Sequence, residues 1–222
     1  LIILGMHARE NNPELLRAKE LNIPILSFPE FVAEECKDKK RVVVAGSHGK
    51  TTTTSMLMHA LRKAGLDFDY LVGSSIEGFE HSVELSDANL VIIEGDEYLS
   101  SPLDRRSKFL WYDPDISIIT GIAYDHINVF PTFESYLETF EQFIALHRKE
   151  SSIIWFAQDE HLQTMMEQAR CKSIPYSTPE YTNDEGKNSI VYGGKNFSQM
   201  VIGEHNLQNI TSAQLVAQEL GL

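Results

Sequence analysis

Gly46-Ser47-His48-Gly49-Lys50-Thr51-Thr52 puts two glycines, a lysine and a run of hydroxyls directly after the apolar run Val42-Val43-Val44. That combination suits a polyphosphate. Glycines let the backbone turn sharply and aim N–H groups at phosphate oxygens, and a helix starting at the end of the loop adds partial positive charge. Lys50 is placed to reach the β and γ phosphates, and Thr51 to ligate Mg2+. The common phosphate-loop pattern has a glycine where Val44 stands, so the segment fits the shorter form Gly-x-x-Gly-Lys-Thr-Thr. Two further clusters carry chemistry. Val91-Ile92-Ile93-Glu94-Gly95-Asp96-Glu97-Tyr98 ends an apolar run in carboxylates, and Glu94 with Thr51 and a phosphate oxygen makes a sensible shell for a hard cation. Asp96 and Glu97 fit a solvated acidic turn. Ile118-Ile119-Thr120-Gly121-Ile122-Ala123-Tyr124 runs into Asp125-His126, a histidine that in isolation is more often structural than catalytic. Asn206 and Asn209 stand one helical turn apart, so their carboxamides can present paired donors and acceptors to a base edge; Asn206 also suits a helix cap.

A scaffold must bring these clusters to one edge. Apolar runs bounded by turn residues alternate with segments of helical period, which predicts an α/β fold with a mostly parallel sheet flanked by helices. Strands are predicted over 1–4, 23–26, 41–44, 90–94, 116–120, 152–156, 172–176, 189–192 and 199–202, and helices over 13–21, 29–36, 51–64, 133–148, 161–169 and 206–220. The turn-rich stretch 178–188 reads as a surface loop. Lys37-Asp38-Lys39-Lys40 has no apolar face to bury and places a domain boundary near Asp38. The first residues read as a strand without a start and the last as a helix without a successor, so the chain reads as cut from something longer.

Composition narrows the function. The 222 residues carry a formal net charge of -13, which argues against a nucleic-acid partner, because duplex phosphates demand a basic surface. No apolar stretch is long enough to span a bilayer. Cys36 and Cys171 are far apart and have no metal-ligand spacing, so they read as two reduced thiols of a cytoplasmic protein.

Ala45-Gly46-Ser47-His48-Gly49-Lys50-Thr51-Thr52-Thr53 closely resembles the ATP loop of the Mur ligases, the amide ligases that build the peptide of bacterial cell wall. Gly203-Glu204-His205-Asn206-Leu207-Gln208-Asn209 is similar to that family's Gly-x-His-Asn-x-x-Asn element. Asp125-His126 is similar to the pair whose histidine helps hold a second Mg2+, although Gly121 and Ala123 replace the asparagine and glutamate usual just before it. Several members carry a carbamylated lysine four residues after a tyrosine. Here Tyr136 is followed by Phe140, which resembles the alanine-adding branch and its tripeptide-recycling relative. Glu94-Gly95-Asp96-Glu97-Tyr98, Asp104-Arg105-Arg106-Ser107-Lys108-Phe109 and Asp125-His126-Ile127-Asn128-Val129-Phe130 resemble the recycling branch.

The resemblance implies that residues 1–38 are the end of a Rossmann-like N-terminal domain that grips a uridine nucleotide. Residues 39–222 are then the central ATP-binding domain, with the C-terminal domain absent. It implies ATP and Mg2+ as cofactors, with Gly46, Ser47, His48, Gly49, Lys50, Thr51, Thr52, Asn206 and Asn209 on the nucleotide. Thr51, Glu94 and His126 are implied on the metal, and Lys50, Glu94 and His126 in catalysis. The implied reaction converts the carboxylate of UDP-N-acetylmuramate to an acyl phosphate, which the amine of a murein tripeptide displaces; L-alanine is the alternative amine. Arg105, Arg106 and Lys108 either meet the anionic sugar nucleotide or form an exposed basic turn. Without the amine-binding domain, the chain is expected to bind Mg-ATP and form no amide.

Overall fold

The computed structural model describes residues 1–184 and 187–222. The chain begins with β1 (Ile2–Leu4), α1 (Pro13–Glu20), β2 (Ile25–Ser27) and α2 (Phe28–Glu35). β1 and β2 pair in parallel, Ile2 opposite Ile25, so this is a small β-α-β unit. Its helices are well started. The Asn12 side chain accepts from the amides of Glu14 and Leu15, with Pro13 at the first helical position, and Ser27 with Glu30 forms a reciprocal capping box. α2 buries Val32 and the following Cys36 against Phe109 and Tyr112, and burial pushes the Cys36 thiol up to about 11.

The next elements are β3 (Lys40–Ala45), α3 (Lys50–Lys63), β4 (Asp69–Leu71), β5 (Val83–Glu84), β6 (Leu90–Glu94), a 3-10 turn (Lys108–Trp111) and β7 (Ile116–Ile119). α4 (Phe133–Ala145), β8 (Ser152–Phe156), α5 (Glu160–Met166) and β9 (Lys172–Tyr176) follow. The seven strands from β3 to β9 form one sheet in the order β5-β4-β6-β3-β7-β8-β9, with only β5 antiparallel to its neighbour. β10 (Tyr181–Asp184), β11 (Lys187–Tyr192) and β12 (Lys195–Gln199) make a separate antiparallel sheet, and α6 (Glu204–Glu219) closes the chain. The fold is therefore the α/β sheet expected from the alternation.

A strand buried on both faces needs no polar alternation, which is why Val42 to Ala45 reads as an unbroken apolar run. Its side chains still divide by the pleat. Val42 and Val44 join Leu57, Met58 and Leu61 of α3 and Val216 of α6 on one face; Val43 and Ala45 join Phe109, Phe140 and Phe143 on the other. β3 thus sits between β6 and β7, and the segments leaving the carboxyl ends of these three strands meet at one edge. Ligands of open parallel sheets bind at such edges, where the strand order changes direction.

Four expectations are corrected. No strand was expected between Gly65 and Leu90, yet β4 and β5 form there; they are three and two residues long, and β4 opens on Asp69, whose buried carboxylate is paired with Lys39 at 2.6 Å. The expected surface loop over 178–188 contains β10, a largely exposed strand whose polar residues mimic a loop, and the start of β11; 185 and 186 lie outside the described residues. The strand expected over 199–202 lies earlier, as β12, and leaves Met200 and Ile202 in solvent. α4 ends at Ala145 rather than Arg148 because the His147 ring turns inward, contacting the carbonyls of Phe143 and Ile144 through Nδ1 and Ser117 Oγ through Nε2.

Candidate nucleotide and metal site

The turn between β3 and α3 depends on two glycines. Gly46 has φ +121°, and a Cβ there would overlap Thr120; Gly49 has φ +79°, with Asn209 directly behind it. Only glycine takes both positions without strain. α3 starts at Lys50 with no side chain capping its first turn, and Lys50, Thr51 and Thr52 of that turn line a cavity of about 640 Å3. Orphan amides and the positive helix end make an anion site.

Ser47, His48, Gly49, Lys50, Thr51, Thr52, Glu94 and His126 all line this cavity. Gly46 contributes its carbonyl, which accepts from Lys50 Nζ at 2.6 Å. Thr51 Oγ1 donates to Glu94 Oε1 at 2.8 Å, and the amide of Gly73 donates to Glu94 Oε2 at 3.2 Å. A hydroxyl beside a carboxylate at the mouth of a phosphate loop fits Mg2+, which takes few protein ligands and keeps water and phosphate oxygens. Among the described residues, no three His, Cys, Asp or Glu side chains converge on a metal position.

His126 departs from the expected grouping with Thr51 and Glu94. It adopts φ +58°, stacks edge-on against Tyr98 and brings Nε2 to 2.9 Å from Glu97 Oε1. That contact is favourable with hydrogen on Nε2, so in the neutral ring the lone pair is on Nδ1. Asn206 and Asn209 line no part of the cavity. Asn206 is in the first turn of α6, not its cap, and donates to the Ile202 carbonyl; the cap position is Gly203. Asn209, buried, donates to Asn206 Oδ1 at 3.4 Å, so the pair does face one way, with Asn209 behind Gly49.

Glu97 is the residue that sequence reasoning missed. It is fully buried rather than a solvated turn, and its carboxylate receives Lys50 Nζ at 2.9 Å, Tyr136 Oη at 3.2 Å and His126 Nε2. Burial and the Glu97 charge together push the Tyr136 phenol well above its usual range, which keeps it a donor. One signal was available: Tyr136 shares an apolar stripe with Phe140 and Phe143, and a tyrosine buried there needs a partner for its hydroxyl. Asp96, also read as solvated, holds Lys108 at 2.6 Å. Arg106 stacks over Trp111 and pairs with Asp104, and both it and Arg105 are exposed. The unusual Gly121 and Ala123 act through backbone: the Gly121 carbonyl accepts from Ser47 N, and Ala123 N donates to Ser47 Oγ.

Residues 44–217 match the family described as the Mur ligase middle domain. A UDP-N-acetylmuramate–L-alanine ligase of Clostridium botulinum is 32% identical over 177 residues, covering 79% of this chain and 37% of the relative. A UDP-N-acetylmuramate–L-alanyl-gamma-D-glutamyl-meso-2,6-diaminoheptandioate ligase of Escherichia coli is 28% identical over 234 residues, covering 100% of this chain and 51% of the relative. The solved UDP-N-acetylmuramate:L-alanyl-gamma-D-glutamyl-meso-diaminopimelate ligase from Neisseria meningitides superposes with a TM-score of 0.88 at 25% identity, covering 99% of this chain and 74% of that one. The chain thus spans about half the length, or less, of these curated relatives.

Proposed function

Because the chain belongs to the Mur ligase family, we propose that it is the ATP-binding part of an ATP-dependent amide ligase acting on UDP-N-acetylmuramate in peptidoglycan recycling. The observation that carries this reading is one cavity lined by the uncapped start of α3, Lys50, the Thr51–Glu94 pair and His126. Residues 39–222 form the nucleotide domain, and residues 1–38 end the domain that holds the uridine nucleotide.

Two anions must meet in this reaction, a carboxylate and a phosphoryl group, so charge is the main obstacle. The loop amides and the Lys50 ammonium neutralise and orient the phosphates. Thr51 and Glu94 would hold Mg2+, with Nδ1 of His126 available to a second ion. Bound there, the metal supplies Lewis-acid stabilisation of phosphate oxygens. Asn209 supports the loop from behind Gly49.

The tripeptide is the proposed amine because two of the segments that resemble the recycling branch, 94–98 and 104–109, are hydrogen-bonded into one loop at the cavity, with Lys108 on Asp96 and Leu99 bridged to Ser107. Lys108 lines the cavity and is placed to meet an anionic substrate. Addition of L-alanine is the second reading, favoured by the higher identity to alanine-adding relatives. Incubating a full-length ligase that carries this chain with ATP, Mg2+, UDP-N-acetylmuramate and either amine, with mass spectrometry of products, separates the two. The UDP-N-acetylmuramoyl-tripeptide adduct is expected; an adduct with L-alanine alone overturns the recycling assignment.

A further inference from the structure

Glu97 is one carboxylate with donors from three separate segments. Lys50 comes from the phosphate loop, His126 from the segment after β7 and Tyr136 from α4. The hydroxyl groups behind it form a chain with one direction. Ala123 N donates to Ser47 Oγ at 2.8 Å, Ser47 Oγ lies 2.8 Å from Tyr136 Oη, and Tyr136 donates to Glu97. A phenol has one proton, so if it is given to Glu97 the oxygen must accept from Ser47. Every proton in the chain then points toward the carboxylate.

Lys50 has three N–H donors, of which Gly46 O and Glu97 take two; the ammonium borders the cavity with one to spare. We propose that Glu97 is a positioning residue: it fixes Lys50 and His126 by charge and competes with the polyphosphate of a nucleotide for the Lys50 ammonium. The inference rests on the nucleotide reading above and assigns the site a built-in brake on affinity. Holding the lysine in place costs binding strength, because an anion stands beside the anion being bound.

The test is calorimetric titration of Mg-ATP into the 222-residue chain, with thermal midpoints recorded for every variant. Glu97→Gln removes the charge and keeps the shape, and it is expected to bind about tenfold tighter, the order of effect of removing one like charge from beside a polyanion. Tyr136→Phe takes a donor from Glu97, strengthens its hold on Lys50 and is expected to bind about threefold weaker. A merely structural Glu97 predicts loss of affinity, if any change, in both. Unchanged or weaker binding by a folded Glu97→Gln overturns the proposal; should that variant not fold, unchanged binding by Tyr136→Phe overturns it. Lys50→Met separates the two levels: if it binds as well as wild type, the nucleotide reading fails, and if it alone loses binding, only the role of Glu97 fails.

Discussion

Two lysine–carboxylate pairs in this molecule have the same burial and different work to do. In both Lys39–Asp69 and Lys50–Glu97 the lysine side chain is 13% exposed and the carboxylate 0%. The difference is in the lysine's three donors. Lys39 is placed on Asp69, the Ser86 carbonyl and the Ala88 carbonyl at 2.6, 2.6 and 2.9 Å, so its ammonium is saturated. Asp69 is closed in turn by Ser86, which donates from both its amide and its hydroxyl. Lys50 has two protein acceptors, a cavity and the start of a helix beside it. Burial and ion pairing alone do not separate the two lysines; the unspent donor of Lys50 beside the cavity does.

The contrast breaks most visibly at Lys39. Lys39→Met leaves Asp69 buried without its partner and is expected to cost about 3–5 kcal/mol of stability, read by denaturant unfolding, with Mg-ATP affinity retained by the folded fraction. Weakened ATP binding in that fraction would mean the two pairs are coupled after all. Acid tests another closed polar group. Burial holds the His147 imidazole down to about 4 from 6.5, so the unfolded chain binds more protons between those values. Its contribution, about 3 kcal/mol, is complete above pH 6.5 and is lost as pH falls toward 4. Removing the imidazole by His147→Leu should flatten the slope of stability against pH in that window. At the open pair's edge, Glu94→Gln is expected to raise the Mg2+ needed for half-maximal ATP binding about tenfold, worth about 1.4 kcal/mol, with little change in melting temperature. Overlaid Mg2+ titrations would remove Glu94 from the metal site. Asn12→Ala, far from either pair, should cost about 1 kcal/mol by uncapping α1 and leave ATP affinity alone.

Much of the fold was legible because its signals were local. The apolar run Val42 to Val44, the glycines at 46 and 49 and the apolar stripe of α4 each state their element within a few residues. β4 and β5 were not legible, since they are three and two residues long and are held by pairing of β4 to the distant β6, of β5 to β4, and by the contact across 30 residues between Lys39 and Asp69. The exposed polar strand β10 failed for the opposite reason: nothing in it is buried enough to leave a pattern. Lys50, Thr51 and Glu94, singled out by type and spacing, line one cavity. The burial of Glu97 depends on Tyr136 and His126 arriving from other elements, which no spacing within residues 94–98 could disclose.

The claim that the glycine turn and Lys50 form a polyphosphate site is tested most directly by titrating Mg-ATP into Lys50→Met with Lys39→Met as its control. Both variants take the ammonium from a fully buried carboxylate that keeps its other donors, and a thermal midpoint recorded for each separates lost stability from lost binding. Lys50→Met is expected to bind at least about a hundredfold more weakly than wild type, the order of effect of losing a charge-assisted donor to phosphate, while Lys39→Met binds as wild type does. Equal affinities in the two variants would contradict the account.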